Sequence, residues 1–270
     1  MNTRGTPTRQ ATATKVAATT ATPAPGFIRL QAAINKFLGN DFPPGPHFIP
    51  WYVPINLQKG GTLVVCLGLM RYYENYSVAA QCYTVAHGSY GLVWLLKHFL
   101  FPDPTWDARV TLLSAVNAFL LVLGPYWLAP FLLISRAAPE PSLARCAVAM
   151  LVYILGVVGM MVTDCYKYVT LSHKKGLITD GPFRYVRHPN YLGEMMIYGA
   201  FAAMVPHWAT KAVLAWVWLQ LFVPNMLMKE ARMSRHAQWA DYYARTGLLL
   251  PYLPALLMGN GAAKHNGKHA

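Results

Sequence analysis

The sequence is short of charged residues, and of acidic residues above all. Asp, Glu, Lys and Arg make up 12% of its 270 residues, about half the share of a typical soluble domain. A soluble chain of this length needs a larger charged surface, so we predict a polytopic membrane protein. Ten acidic residues against 23 Lys and Arg give a net charge of +13. Nucleic acid would suit this excess, but the basic residues lie between apolar runs, which favours a membrane partner and no nucleic acid.

Cysteines are also few, and none forms a CxxC pair. Three of the four lie in or at the edge of apolar stretches, where a free thiol behaves as a small hydrophobic group. The pattern therefore predicts buried, reduced thiols and no metal site. The four are Cys66, Cys82, Cys146 and Cys165.

The first 25 residues contain no acid and no apolar core of a signal peptide. They are rich in Ala, Thr and Pro and carry Arg4, Arg9 and Lys15. This composition is typical of an organelle transit peptide and equally of a disordered cytosolic tail. We predict a disordered or targeting tail over residues 1–40 and a second disordered tail over residues 259–270.

Six apolar runs follow the N-terminal tail. A membrane-spanning helix needs about 20 apolar residues; the second, third, fourth and sixth runs come near this length, and the first and fifth are shorter. We predict an all-α fold with about six transmembrane helices, and six spans place the basic loops on one face, which the positive-inside rule makes cytosolic. The runs are Thr62–Met70, Val78–Phe101, Val110–Ile134, Ala144–Val162, Tyr191–Val205 and Ala212–Met228.

One stretch, GPFRYVRHPNYLGE, concentrates polar residues at the start of the fifth run. Pro189 ends the preceding loop, and Asn190 is placed to cap the helix that follows. Arg187 and His188 beside a helix N-terminus form a natural anion site, with Glu194 one turn further on. A positive-inside anchor with ordinary caps explains any one of these residues, but it does not explain the whole cluster.

A second polar segment, KEARMSRHAQWADYYARTGLLLP, follows the sixth run. Alone it is typical of a juxtamembrane helix on anionic lipid headgroups. Both segments flank the same helical hairpin, so we expect them to meet on one cytosolic face and form a cup. Arg and Lys would hold the phosphates or carboxylate of a nucleotide-like cofactor, Glu would accept from a ribose or amine, and aromatic rings would stack.

Together, GLITDGPFRYVRHPNYLGE and KE…WADYYARTGLLLP resemble a superfamily of integral membrane enzymes. It includes the C-terminal domains of steroid 5α-reductases and sterol reductases, isoprenylcysteine carboxyl methyltransferases and phospholipid methyltransferases. The resemblance covers residues 150–255; the helices of residues 41–145 match only in being apolar. It implies that residues 146–258 bind a cofactor from the cytosol and act on a lipid-like substrate in the bilayer. The implied cofactor-binding residues are Arg187, His188, Pro189, Asn190, Tyr191, Gly193, Glu194, Glu230, Tyr242, Tyr243 and Arg245.

The cofactor differs between the branches, being NADPH in the reductases and S-adenosylmethionine in the methyltransferases. The NYLGE ending resembles the reductases. The methyltransferases often carry two adjacent acids where this chain has Lys229 and Glu230. We therefore favour an NADPH-dependent reductase that acts on a C=C bond of a lipid or sterol-like substrate in the endoplasmic reticulum. An S-adenosylmethionine-dependent methyltransferase is the first alternative function, and a non-catalytic membrane scaffold is the second. For the location, another organelle membrane is the alternative if the N-terminal tail is a transit peptide.

A reductase also needs a group that protonates its substrate or polarises a carbonyl. His87 and Tyr90 on one apolar helix are candidates, as is Glu194, although a histidine that only packs in the core explains His87 better. Asp164 and Tyr168 stand one turn apart before the basic loop, and we expect them to line the cavity. A methyltransferase needs no proton donor, because it has only to align a methyl group with its nucleophile.

Overall fold

The computed structural model describes residues 22–252, so the tail predicted over residues 259–270 lies outside it. Within this range the chain is mostly helical, with one pair of two-residue antiparallel strands, β1 (Ile49–Pro50) and β2 (Arg109–Val110). The α-helices are α1 Gly26–Lys36, α2 Tyr52–Tyr72, α3 Val78–Leu100, α4 Leu112–Ala118, α5 Leu128–Ile134, α6 Leu143–His173, α7 Pro189–Met204, α8 Trp208–Val217, α9 Val223–Met233 and α10 Trp239–Arg245.

Residues 1–21 of the predicted N-terminal tail lie outside the described range, and residues 26–36 of it form a helix. Helix α1 lies inside the range assigned to the tail, and Ile28 of this helix is buried. The Gln31 side chain donates to the Gln220 side chain at 2.9 Å, which ties α1 to the turn before α9. Helix α1 is amphipathic and gains its stability from this tertiary contact rather than from its own length.

Each predicted apolar run lies in its own helical stretch, and four of these are long and apolar enough to cross a membrane. They are α2, the continuous stretch Leu112–Ile134, α6 and the continuous stretch Trp208–Met233. Helix α3 has 23 residues but carries several polar side chains, and α7 has only 16 residues. Six spans therefore stay a prediction, while a membrane-embedded helical protein agrees with the four apolar stretches.

Two of the long stretches change their helical geometry beside prolines. The turn Phe119–Leu123 is π-helical just before Pro125, and Trp218–Phe222 is π-helical just before Pro224. Proline has no N–H and its ring crowds the preceding turn, so a wider turn there absorbs the lost hydrogen bond. Both stretches remain continuous helices that carry a local irregularity.

Helices α6 and α7 pack closely because two glycines face each other. A Cβ on Gly193 would lie 2.8 Å from the Gly156 carbonyl oxygen and 2.7 Å from the Met160 nitrogen. A Cβ on Gly156 would lie 2.8 Å from the Gly193 oxygen. Small residues at a helix interface permit this approach. Gly193 therefore serves helix packing and places the first turns of α7 against the middle of α6.

Helix α7 begins one residue earlier than predicted. His188 is the N-cap residue, Pro189 is the first helical residue, and no side chain caps the helix. The predicted cap by Asn190 is wrong, because the φ angle of proline already suits the first helical position. Asn190 is left free for another role.

The core lies where α3 faces α6 and α7. The ring of His87 stacks on Phe201 with centroids 4.2 Å apart, and Tyr153 packs against the same ring at 5.6 Å. All four cysteines are unpaired, in agreement with the predicted reduced thiols, and two of them, Cys66 and Cys146, are buried.

Candidate cofactor site

The two polar segments lie against each other, as the sequence predicts. The Arg187 amide donates to the Gly247 carbonyl at 2.9 Å, and the Gly247 amide donates to the Tyr185 carbonyl at 3.1 Å. The buried Tyr242 hydroxyl donates to the Phe183 carbonyl at 2.8 Å. We call this paired region, residues 183–188 with residues 242–248, the junction.

Arg187 lies at the centre of the junction and is only 7% exposed. Its Nε donates to Glu230 Oε1 at 2.5 Å, and its Nη1 donates to the Thr246 carbonyl. The guanidinium lies 4.2 Å from the centroid of the Tyr243 ring. A buried charge requires such partners. Arg187 and Glu230 therefore satisfy each other and join the segments, and a direct contact of either with a cofactor stays a prediction.

His188 and Tyr242 are both buried beside this ion pair. The Nε2 atom of His188 lies 3.5 Å from Glu230 Oε1, which is too long for a good hydrogen bond. Burial lowers the pKa of His188, although Glu230 opposes the shift. Burial also raises the pKa of Tyr242 to about 12, so this phenol remains a neutral hydrogen-bond donor at neutral pH.

A cavity of about 560 Å³ opens next to the junction. Its walls come from the C-terminal ends of α3 and α6, the first turns of α7, and α9 with the π-helical turn before it. The volume lies within the roughly 300–1,000 Å³ that is typical of small-molecule sites. Its polar lining residues are Lys97, Asp103, Asp164, Lys167, Ser172, Asn190, Glu194, Asn225 and Lys229, and its aromatic ones are Trp94, Phe101, Trp106, Tyr168, Tyr191 and Phe222.

Two pairs of opposite charges in the cavity neutralise each other. Lys97 forms a salt bridge with Asp164, and Lys167 Nζ lies 3.6 Å from Asp103 Oδ2. Burial acts to raise the pKa of Asp103, but the Thr105 hydrogen bonds and the Lys167 charge lower it overall. The Asp103 carboxylate is therefore ionised at neutral pH and balances Lys167.

Two other charges in the cavity are not balanced in this way. Within residues 22–252, neither Glu194 nor Lys229 forms a salt bridge or a side-chain hydrogen bond; Lys229 Nζ lies 4.7 Å from the centroid of the Tyr191 ring. Both side chains are half-buried. Partly desolvated charges without a salt bridge are the groups that gain most from a ligand. Glu194 and Lys229 are therefore the cavity's principal ligand-binding candidates.

A buried lysine lies behind the cavity wall. Lys59 of α2 is 6% exposed, and its Nζ donates to the hydroxyls of Tyr90 at 2.6 Å and Tyr198 at 3.0 Å. The same ammonium lies 3.8 Å from the ring centroid of Trp94, which lines the cavity. Gly91 allows α3 to pack closely against α2 at Lys59, because a Cβ on Gly91 would collide with the Lys59 carbonyl oxygen. We call Lys59, Tyr90 and Tyr198 the lysine cluster.

Sequence reasoning missed Lys59. The residue precedes the apolar run Thr62–Met70 and so lay outside the predicted span, whereas α2 begins at Tyr52 and carries it into the helical bundle. The available signal was a cation in the interior of a helix long enough to span a membrane. Ionisable residues in such positions are usually functional.

The three candidate catalytic residues lie in different surroundings. Tyr90 belongs to the lysine cluster, and Glu194 lines the cavity one helical turn before Tyr198. His87 lies away from the cavity, with its Nδ1 at 3.0 Å from the Tyr83 hydroxyl. His87 thus has the contacts of a packed core histidine.

The remaining predicted residues divide between the cavity and the exterior. Asn190 and Tyr191 line the cavity with Glu194, and the expectation that Asp164 and Tyr168 line it is met. Pro189 starts α7 without contributing to the cavity lining. Tyr243 and Arg245 of α10 are exposed, and neither is a lining residue.

Residues 105–246, just over half of the chain, match the family described as "Protein of unknown function (DUF1295)". The match includes the junction up to Thr246 and all cavity-lining elements except α3 and the first turn after it. No curated protein matches the chain. The chain belongs to the DUF1295 family.

Proposed function

We propose that this protein is a membrane-embedded reductase that uses NADPH to reduce a C=C bond of a lipid or sterol-like substrate. The observation that carries the proposal is the lysine cluster beside a cavity with two unbalanced charges. The cavity supplies the groups that a nucleotide cofactor needs, and the cluster supplies a proton donor in dry surroundings.

The donor set of the cavity fits a nicotinamide dinucleotide. Lys229 would pair with a phosphate, and Glu194 would accept from a ribose hydroxyl or the carboxamide. Asn190 offers both a donor and an acceptor, and the aromatic rings offer stacking surfaces. When bound, NADPH supplies the hydride.

The second requirement of the reaction is a proton. The Tyr90 hydroxyl is the proposed donor, because Lys59 Nζ donates to its oxygen at 2.6 Å. A positive charge at this distance stabilises the phenolate that remains after proton transfer. The surrounding rings of Trp94 and Tyr198 exclude water, which strengthens this interaction. Lys59 would then return a proton to Tyr90.

A methyltransferase of the related type is the competing function. It could use the same cavity for S-adenosylmethionine, but its chemistry needs no proton donor. The lysine cluster would then have only a packing role. That difference favours the reductase, and we assign the protein to the endoplasmic reticulum membrane as part of the same proposal.

Cofactor titration of the purified full-length chain in detergent tests the proposal. We expect NADPH to quench the fluorescence of Trp94 and Trp106, and S-adenosylmethionine to have no effect. Glu194→Gln and Lys229→Gln should each weaken NADPH binding about tenfold, because each removes one charge-assisted contact. Arg232→Gln is the matched control, since Arg232 is an exposed cation on the same helix as Lys229 and does not line the cavity.

The other outcomes are equally informative. Binding of S-adenosylmethionine alone would establish the methyltransferase, and binding of neither would support a scaffold. If Arg232→Gln weakened binding as much as Lys229→Gln, the cavity would not be the binding site.

A further inference from the structure

A second groove lies between α6 and α7, at the end of these helices away from the cavity. Its volume is about 550 Å³. Its cationic lining residues, Arg145 and Lys211, belong to the first turns of α6 and α8. The rest of its lining is small and apolar, from Ala144, Val148, Ala149, Val152, Gly199, Ala200 and Ala203.

The two cations of this groove lie at the level of a membrane surface. Arg145 and the cavity residue Asp164 are 19 residues apart on α6, which corresponds to about 28 Å along the helix. The hydrocarbon core of a bilayer is about 30 Å thick. If the cavity opens at one face of the membrane, Arg145 therefore lies at the headgroup level of the opposite face.

The charges at this end of the groove are not balanced. The exposed Arg145 guanidinium has no hydrogen bond or salt bridge to any residue between 22 and 252. Its place in the first turn of α6 is unfavourable for a cation, because the helix dipole is positive there. Lys211 donates to the Val205 and His207 carbonyls, which are neutral, so its charge also persists. Glu140 precedes α6 but forms no salt bridge with either cation in the described range.

The apolar part of the groove is open enough for a hydrocarbon chain. Gly199 lies on its floor, and a Cβ added there would have no atom within 4 Å. The neighbouring side chains from α6 are alanines and valines, which leave a shallow channel along the helix pair. The groove thus combines an apolar channel with two cations where a headgroup would lie.

We propose that this groove binds one anionic phospholipid. Its phosphate would contact Arg145 and Lys211, and one acyl chain would lie along Val152 and Gly199. Charge complementarity selects an anionic over a zwitterionic headgroup, since a net positive charge near the membrane surface favours anionic lipids. This binding site is separate from the proposed cofactor cavity and does not depend on it.

Native mass spectrometry of the full-length chain in detergent tests the proposal. The probes are dioleoyl phosphatidylglycerol and dioleoyl phosphatidylcholine, which share their acyl chains. We expect one tightly held phosphatidylglycerol and a clear preference for it over phosphatidylcholine. Arg145→Gln should weaken phosphatidylglycerol binding about fivefold, and Arg145→Lys should restore it.

Gly199→Leu should weaken the binding of both lipids, because its side chain fills the channel. Gly159→Leu is the matched control: a Cβ on Gly159 of α6 also meets no atom within 4 Å, yet Gly159 does not line the groove. NADPH binding by Arg145→Gln should equal that of the unaltered protein. Equal binding of the two lipids by the unaltered protein, or no loss of phosphatidylglycerol in Arg145→Gln, would overturn the proposal.

Discussion

The Arg187–Glu230 ion pair distinguishes a structural junction from a direct cofactor contact. Both side chains are largely buried, with relative exposures of 6% and 13%. Among the described residues, Arg187→Ala would leave Glu230 with no charged partner other than the distant His188 nitrogen. It would also remove the bond to the Thr246 carbonyl and the contact with the Tyr243 ring.

Breaking a buried pair in this way costs about 3–5 kcal/mol. For a chain of about this size each kcal/mol lowers the melting temperature by roughly 2–4 °C, so we expect a loss of about 6–20 °C. The double variant Arg187→Met with Glu230→Met should recover more than half of the loss, because no buried charge is left without a partner.

The assay is thermal unfolding in detergent, followed by the loss of the monodisperse peak in size-exclusion chromatography. NADPH binding is measured on the same samples below their melting temperatures. The reasoning is refuted if Arg187→Ala has the same melting temperature as the unaltered protein but no longer binds NADPH. That result would make Arg187 a direct ligand contact, as the sequence alone suggested.

Three further predictions follow from the packing and from the lysine cluster. Gly193→Ala should lower the melting temperature, because its Cβ would collide with α6, whereas Gly199→Ala should not; equal effects would contradict the glycine contact. Lys59→Met and Tyr90→Phe should each keep NADPH affinity within twofold of the unaltered protein. Each should lower the turnover of the proposed reduction at least 100-fold, because general acid catalysis contributes about that much. Unchanged turnover in both variants would contradict the role of Tyr90 as proton donor. Because burial lowers the folded-state pKa of His188, the unfolded state binds this proton more readily. The stability that His188 contributes should be complete above about pH 6.5 and decline as the pH falls below it. His188→Gln should remove that part of the slope of melting temperature against pH. An identical slope in the variant would refute this role of His188.

Part of the candidate site was predictable from local chemistry. Pro189 and the polar residues around it identified a loop that ends at a helix, and the junction shows that this loop meets the second segment. Asn190, Tyr191 and Glu194 were predicted to bind a cofactor, and they line a cavity. These residues were identifiable because a polar or charged side chain in an apolar region carries a free-energy cost, and its position is evident from sequence alone.

Other assignments depended on which charge meets which partner. Arg187 and Glu230 were predicted to bind a cofactor, and the structure adds that these residues, 43 apart in sequence, form an ion pair with each other. Glu194 and Lys229 lack such partners among the described residues. Pairing of this kind depends on distances across helices, and no periodicity in the sequence reports it.

The amino-acid sequence alone determined that the chain is helical and apolar, and that its polar chemistry lies in two segments, since hydrophobic runs and proline act locally. The tertiary structure decided which charges remain available to a ligand and brought Lys59 to Tyr90 and Tyr198. It did so because close packing of helices, permitted by Gly91 and Gly193, sets the distances between side chains that are far apart in the chain.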